Sequence, residues 1–147
     1  MFVRHFMVRS AAATSTIANT ALLSEALARM VKHHLQQLIV IDADGKYLGE
    51  ITTFTLAKLL LPEGTQTQQE AEWETVGEVD ERIQPHLSRR VADFVDTDVP
   101  VTTPNTPLVE ALTLLATGRL RLPVVDPDTG KLVGVISALT VLRRYQF

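Results

Sequence analysis

The chain has 147 residues, of which 46% are hydrophobic, with a net charge of −3 and no cysteine. That is enough apolar material for one domain, or two small ones sharing a core, and too much for wholesale disorder. The acidic balance disfavours a duplex nucleic-acid binder, and the missing thiols exclude disulfides, thiol catalysis and cysteine-ligated zinc.

In chain order, "VRHFM" (Val3 to Met7) predicts a short apolar helix, and His5 and Arg9 interrupt the apolar run that a signal peptide would need. A brief extended stretch follows around Thr16 and Ile17. Leu22, Leu23, Ala26, Leu27, Met30 and Val31 recur at helical spacing and predict an amphipathic helix. "QLIVID" predicts a strand, "DADG" a turn and "YLGEIT" a second strand. "FTLAKLLL" predicts a closing helix that Pro62 should stop. Residues 63–90 carry seven acidic residues against three basic ones, together with the Gln-rich "TQTQQE". They are expected to form an inserted linker, partly helical around Glu70 to Val76, with Trp73 pinning it to the core.

The same order of elements then returns. "VADFV" predicts a short helix, and Val101-Thr102 an extended stretch. A helix carrying Leu108, Ala111, Leu112 and Leu115 follows, with Thr106 as the expected N-cap and Pro107 as its first residue. "LPVVD", the turn "DPDTG", "LVGVIS" and "ALTVLRRY" complete the series. The strands alternate little, as expected when both faces are covered. No apolar stretch approaches the roughly 20 residues of a membrane span. The expectation is therefore a soluble cytoplasmic protein with no direct membrane insertion.

The two series are one repeat. Glu25-Ala26-Leu27 matches Glu110-Ala111-Leu112, Gly45-Lys46 matches Gly130-Lys131, and Ile51-Thr52 matches Ile136-Ser137, all 85 positions apart. Between these anchors "LIVID" matches "PVVD" at 84, a slip taken up in the loops on either side. One copy cannot bury both faces of its sheet, and two can. The expected fold class is α/β: two βαββα repeats packed sheet to sheet with pseudo-two-fold symmetry. Repeat 1 is expected over 1–62, the linker over 63–90 and repeat 2 over 91–147. Ile39, Val40 and Ile51, with Val124, Val125, Val135 and Ile136, should form the central strands.

The stretch "EALTLLATGRLRLPVVDPDTGKLVGVIS" closely resembles the CBS domain, and the duplication resembles a tandem CBS pair, or Bateman module. Copy one is looser, with Ile39 where Pro123 stands. The resemblance implies a regulatory fold rather than a catalyst, with two clefts between the repeats that hold AMP, ATP or S-adenosylmethionine. It also implies a homodimer and a separate effector protein that reads the orientation of the repeats. Thr52 and Ser137 keep the hydroxyl that the family places against phosphate. Thr55 and Thr140 stand where the family has a ribose-binding aspartate. A threonine brings no charge, and losing a charged hydrogen-bond partner costs about 1.5–3 kcal/mol, roughly tenfold to a hundredfold in affinity. Two readings of these threonines stand: a ribose contact, or first-turn helix residues with no ligand.

Lys58 and Arg143 lie one helical turn further on, where each can reach a phosphate or form a solvated helix face. Arg119 and Arg121 have the same two readings. His33 and His34 are adjacent and diverge on a helix, His5 and His86 are isolated, and no metal site or catalytic group is indicated. The alternative to ligand sensing is a ligand-free structural module for dimerisation or docking to a partner. Phe54, Leu56, Leu59, Leu60 and Leu61, with Leu139, Val141, Leu142 and Tyr145, predict a two-fold dimer through the closing helices.

Overall fold

The computed structural model describes residues 1–9, 15–61 and 75–146. Pro62, Trp73 and the first part of the expected linker lie outside them.

Two three-stranded sheets form the centre of the molecule. In the first, β2 (Thr16–Ala18) runs parallel to β3 (Gln37–Ile41), which pairs antiparallel with β4 (Tyr47–Thr52). In the second, β1 (Val8–Arg9) and β5 (Leu122–Val125) flank β6 (Leu132–Ile136), both antiparallel to it. Leu38 stands opposite Ile51 and Leu122 opposite Ile136, so the register repeats the sequence alignment. A parallel bridge between Thr102 and Val124 takes the place in the second half that β2 has in the first.

Alternation along these strands divides the side chains. Leu38, Val40 and Ile51 pack with Ile17, Leu23, Ala26, Met30 and Leu56, under helices α1 (Leu23–His33) and α2 (Thr53–Leu60). Leu122, Val124 and Ile136 pack with Ala111, Leu115 and Val141. The helices on that side are α4 (Leu108–Leu115) and α5 (Ala138–Leu142). Ile39, Pro123 and Val135 are buried yet belong to neither cluster. Their strand positions put them on the opposite faces, between the sheets. Of the expected central-strand residues, Val125 alone is only half-buried. The two hairpin turns are tied together by Tyr47 N–H to the Gly130 carbonyl and Leu132 N–H to the Gly45 carbonyl, both 3.0 Å.

The opening segments form single 3-10 turns, Val3–His5 and Val91–Phe94. Sequence order attaches each to the copy it precedes, and the structure packs each against the other copy. Val3 and Phe6 lie in the second repeat's cluster, Val91 and Phe94 in the first's. Main-chain bonds hold the exchange: Val3 N–H to the Thr106 carbonyl at 2.9 Å, and Val91 N–H to the Ala21 carbonyl at 2.8 Å. Gly49 and Gly134 permit it, because a methyl group on either would overlap the main chain of Asp96 or Val8.

One local expectation is corrected. Helix α4 takes Pro107 as its N-cap position, because the Thr106 hydroxyl accepts instead from Thr103 N–H at 2.9 Å in the preceding turn. The later part of the insert is a helix, α3 (Val76–Leu87), capped by Thr75, whose hydroxyl accepts from Glu78 N–H at 3.2 Å. Val79, Ile83 and Leu87 recur at helical spacing and are half-buried, and α3 packs against α2 and α1. Arg82 Nε donates to the Leu60 carbonyl at 2.7 Å, fixing α3 to the end of α2.

Candidate functional site

The site begins at the end of β4. Glu50 and Thr52 are two residues apart and share a face, and Gln37 stands directly opposite Thr52 on β3. This face looks away from the first repeat's helices and toward the second repeat. Thr52 leaves the strand in extended conformation and caps α2, its hydroxyl accepting from Thr55 N–H at 3.4 Å. Thr55 therefore lies in the first turn, with its hydroxyl 3.4 Å from that of Thr52. Lys58 follows on the exposed side of the same helix.

These residues line a cavity of about 400 Å³. Its other wall comes from the second half: Asp96, and the loop from Thr117 to Arg121 between α4 and β5. Three of the six predicted site residues, Thr52, Thr55 and Lys58, are thus brought together, and Arg119 and Arg121 join them.

A second cavity, of about 450 Å³, is lined by His34 to Gln37, Arg119 to Arg121 and Ser137 to Leu139. Ser137 is in its wall, while Thr140 and Arg143 are not among its lining residues. Thr140 is occupied within its own turn. Its hydroxyl accepts from Ser137 N–H at 3.1 Å and donates to the Ser137 carbonyl at 2.8 Å, while the Ser137 hydroxyl accepts from Thr140 N–H at 3.2 Å. This reciprocal cap closes a helix of five residues, and Arg143 sits exposed at its C-terminal end. The arrangement at Thr140 is that of a first-turn helix residue. Thr55, by contrast, is among the residues lining the first cavity.

Glu50 was not singled out from the sequence. It is 4% exposed and lines the first cavity. Oε2 accepts from Gln37 Nε2, and Oε1 lies 3.4 Å from Arg119 Nη1, an ion pair between the two repeats. Burial pushes the Glu50 carboxyl up from its usual range, against the opposing effects of the Gln37 hydrogen bond and the Arg119 charge. The main chain of Glu50 is fixed by paired bonds with Asp96, 3.0 and 2.8 Å. Two strand pairs along, the Tyr47 hydroxyl is buried with no hydrogen-bond partner among the described residues. Burial, and then the Glu50 charge, push it up to about 12. The repeat alignment held the signal for Glu50: an acid stands there where copy two has Val135.

Among the described residues, no group of His, Asp and Glu is placed to hold a metal ion, and no helix is long and apolar enough to cross a membrane. The arrangement is suited to holding a polar ligand by hydroxyls, a carboxylate and cations, with walls from both halves.

A sequence model of the CBS domain matches residues 3–62 and 91–146. The CBS domain-containing protein CBSX1, chloroplastic, of Arabidopsis thaliana is 31% identical over 132 residues, covering 84% of this chain and 56% of that protein. The chain thus spans a little over half the length of this curated relative. The crystal structure of CBSX2 in complex with AMP matches with a TM-score of 0.70 at 26% identity, over 97% of this chain and 94% of that one. A hypothetical conserved protein of Geobacillus kaustophilus matches with a TM-score of 0.76 over 98% and 95% of the two chains. At 18% identity it speaks for the fold alone.

Proposed function

The chain belongs to the CBS domain family, and we propose that it is a regulatory module that senses an adenosine-containing nucleotide in the first of its two clefts. One observation carries this: a single cavity of about 400 Å³ takes its capping hydroxyls and Lys58 from one repeat and its arginines from the other. A ligand there touches both repeats, so it favours whichever relative orientation it fits best, and an effector protein can respond to that orientation. Thr52 and Thr55, with the N-terminus of α2, form one side of the ligand seat. Lys58 and Arg121 take the phosphate. The AMP bound by CBSX2 supports this ligand class. ATP and S-adenosylmethionine are the alternatives. Ser137, Thr140 and Arg143 form a weaker second seat, since the Thr140 hydroxyl is already engaged. No catalytic residue and no required cofactor are part of this proposal.

Calorimetric titration with AMP, ATP and S-adenosylmethionine tests it. AMP or ATP is expected to bind, and Lys58→Met to weaken that binding about tenfold, the worth of one charged hydrogen bond. A folded protein that binds none of the three would favour the ligand-free structural module.

A homodimer is proposed on separate grounds. Phe54, Leu60 and Leu61 on one closing helix and Leu139, Leu142 and Tyr145 on the other are exposed, whereas Leu56 and Val141 are buried within their own repeats. The exposed set is the dimer face. Light scattering at micromolar concentration should give twice the chain mass, and Phe54→Asp with Leu139→Asp should halve it.

A further inference from the structure

The first cleft lacks a carboxylate at Thr55 and has two in its wall, Asp96, whose Oδ1 accepts from Asp98 N–H at 3.0 Å, and Glu50. Glu50 lies in the interior of a strand, 4% exposed, on the sheet face turned toward the other repeat. A charge in such a place costs solvation and needs partners. Its partners among the described residues leave capacity unused: Gln37 donates to Oε2, and Arg119 stands 3.4 Å from Oε1. An ionised carboxylate offers about four lone-pair sites. Among the described residues each oxygen therefore keeps acceptor capacity, and both oxygens belong to one carboxylate in the cavity wall. Main-chain pairing with Asp96 and the bond from Gln37 hold the group still.

Two adjacent acceptors match two adjacent donors. We infer that Glu50 is the specificity-determining residue of the first cleft, accepting hydrogen bonds from the vicinal hydroxyls of the ligand's sugar. This deepens the nucleotide-sensing proposal and rests on it. The same charge repels the ligand's phosphate, so the ligand lies with its anionic end toward Lys58 and Arg121 and its sugar toward β4. The second half has no such group, because Val135 occupies the matching position of β6. Only the first cleft therefore distinguishes a ribose from a deoxyribose.

Titration of AMP and 2′-deoxy-AMP into the wild-type chain and into Glu50→Gln tests the assignment, with circular dichroism to confirm that the variant is folded. Gln keeps the size of the side chain and one acceptor but loses the charge and the paired oxygens. The wild type is expected to bind AMP about tenfold or more tightly than 2′-deoxy-AMP, the worth of a charge-assisted hydrogen bond. In Glu50→Gln the ratio at the tighter site should fall below about threefold. AMP binding without discrimination, or discrimination retained in full by Glu50→Gln, overturns the role of Glu50 and leaves the nucleotide proposal standing. Absence of AMP binding by the wild type overturns the nucleotide proposal and this assignment with it.

Discussion

On β4, Tyr47 and Glu50 occupy the places that Leu132 and Val135 hold on β6. The segments that cross over to pair with these strands differ in the same sense, bringing Asp96 to β4 and Val8 to β6. The helix-facing positions do not diverge in this way: Leu38 and Leu122, Val40 and Val124, and Ile51 and Ile136 are equally apolar and equally buried. Burial under helices admits only apolar side chains of about the same volume, so both copies keep the same ones. The face between the sheets opens at its edge onto the clefts, and there one copy has become polar while the other has not. The pseudo-symmetry belongs to the scaffold and is broken at the site.

The largest test of this comparison removes the exchanged aromatics. Phe6→Ala and Phe94→Ala should each cost about 3–5 kcal/mol. Hydrogen exchange should locate the damage in the opposite repeat: Phe94→Ala should loosen Leu38 and Ile51 first, and Phe6→Ala should loosen Leu122 and Ile136 first. Loosening of each residue's own copy would show that the turns are not exchanged.

A smaller effect separates Glu50 from Val135 by pH. The folded-state pKa of Glu50 is raised above its unfolded value by burial. The folded state is therefore penalised when Glu50 is ionised, in full above the folded pKa, and the penalty disappears below the unfolded value. Relative to wild type, Glu50→Gln should gain stability at neutral pH, and the gain should shrink as pH falls through the carboxylate range. Val135→Ala should instead lose a nearly pH-independent amount. Urea midpoints at pH 7 and pH 4 measure both. A pH-independent difference for Glu50→Gln would mean that the carboxyl is not perturbed.

The smallest effect is at Tyr47. Its hydroxyl is buried with no partner among the described residues, while the matching Leu132 has nothing to satisfy. Tyr47→Phe should be neutral or stabilise by up to about 1 kcal/mol, read as a raised Tm. A clear loss of stability would show that the hydroxyl is bonded.

Much of the scaffold was legible before any coordinates. The repeat offsets located every paired strand in the two hairpins, because turn residues and apolar runs are local signals. The destination of the opening turns was not legible: "VRHFM" and "VADFV" show that Val3, Phe6, Val91 and Phe94 want burial, but apolar pattern does not say against which copy. Helix α3 was not anticipated, because its acidic residues and Pro85 masked the spacing of Val79, Ile83 and Leu87; the helical stretch expected around Glu70 to Val76 lies mostly outside the described residues. At the site, Thr52 and Thr55 were singled out through a family pattern carried by the strand-to-helix junction, and Lys58 by its place one helical turn further on. Glu50 escaped that pattern because its importance comes from residues distant in sequence, Arg119 and Asp96, that only the packing of the two halves brings to it.

The exchanged turns also set a timetable for a nascent chain. When the first repeat's strands have left the ribosome, Val91 and Phe94 are still to be made, and its core is unfinished. Val3 and Phe6 are made well before the strands they cover, which extend to Ile136. At synthesis rates of about 5–20 residues per second, Val3 and Phe6 wait about 7–26 seconds for their partners, exposed and free to be held by a chaperone. Neither half can complete itself early, and the two finish together.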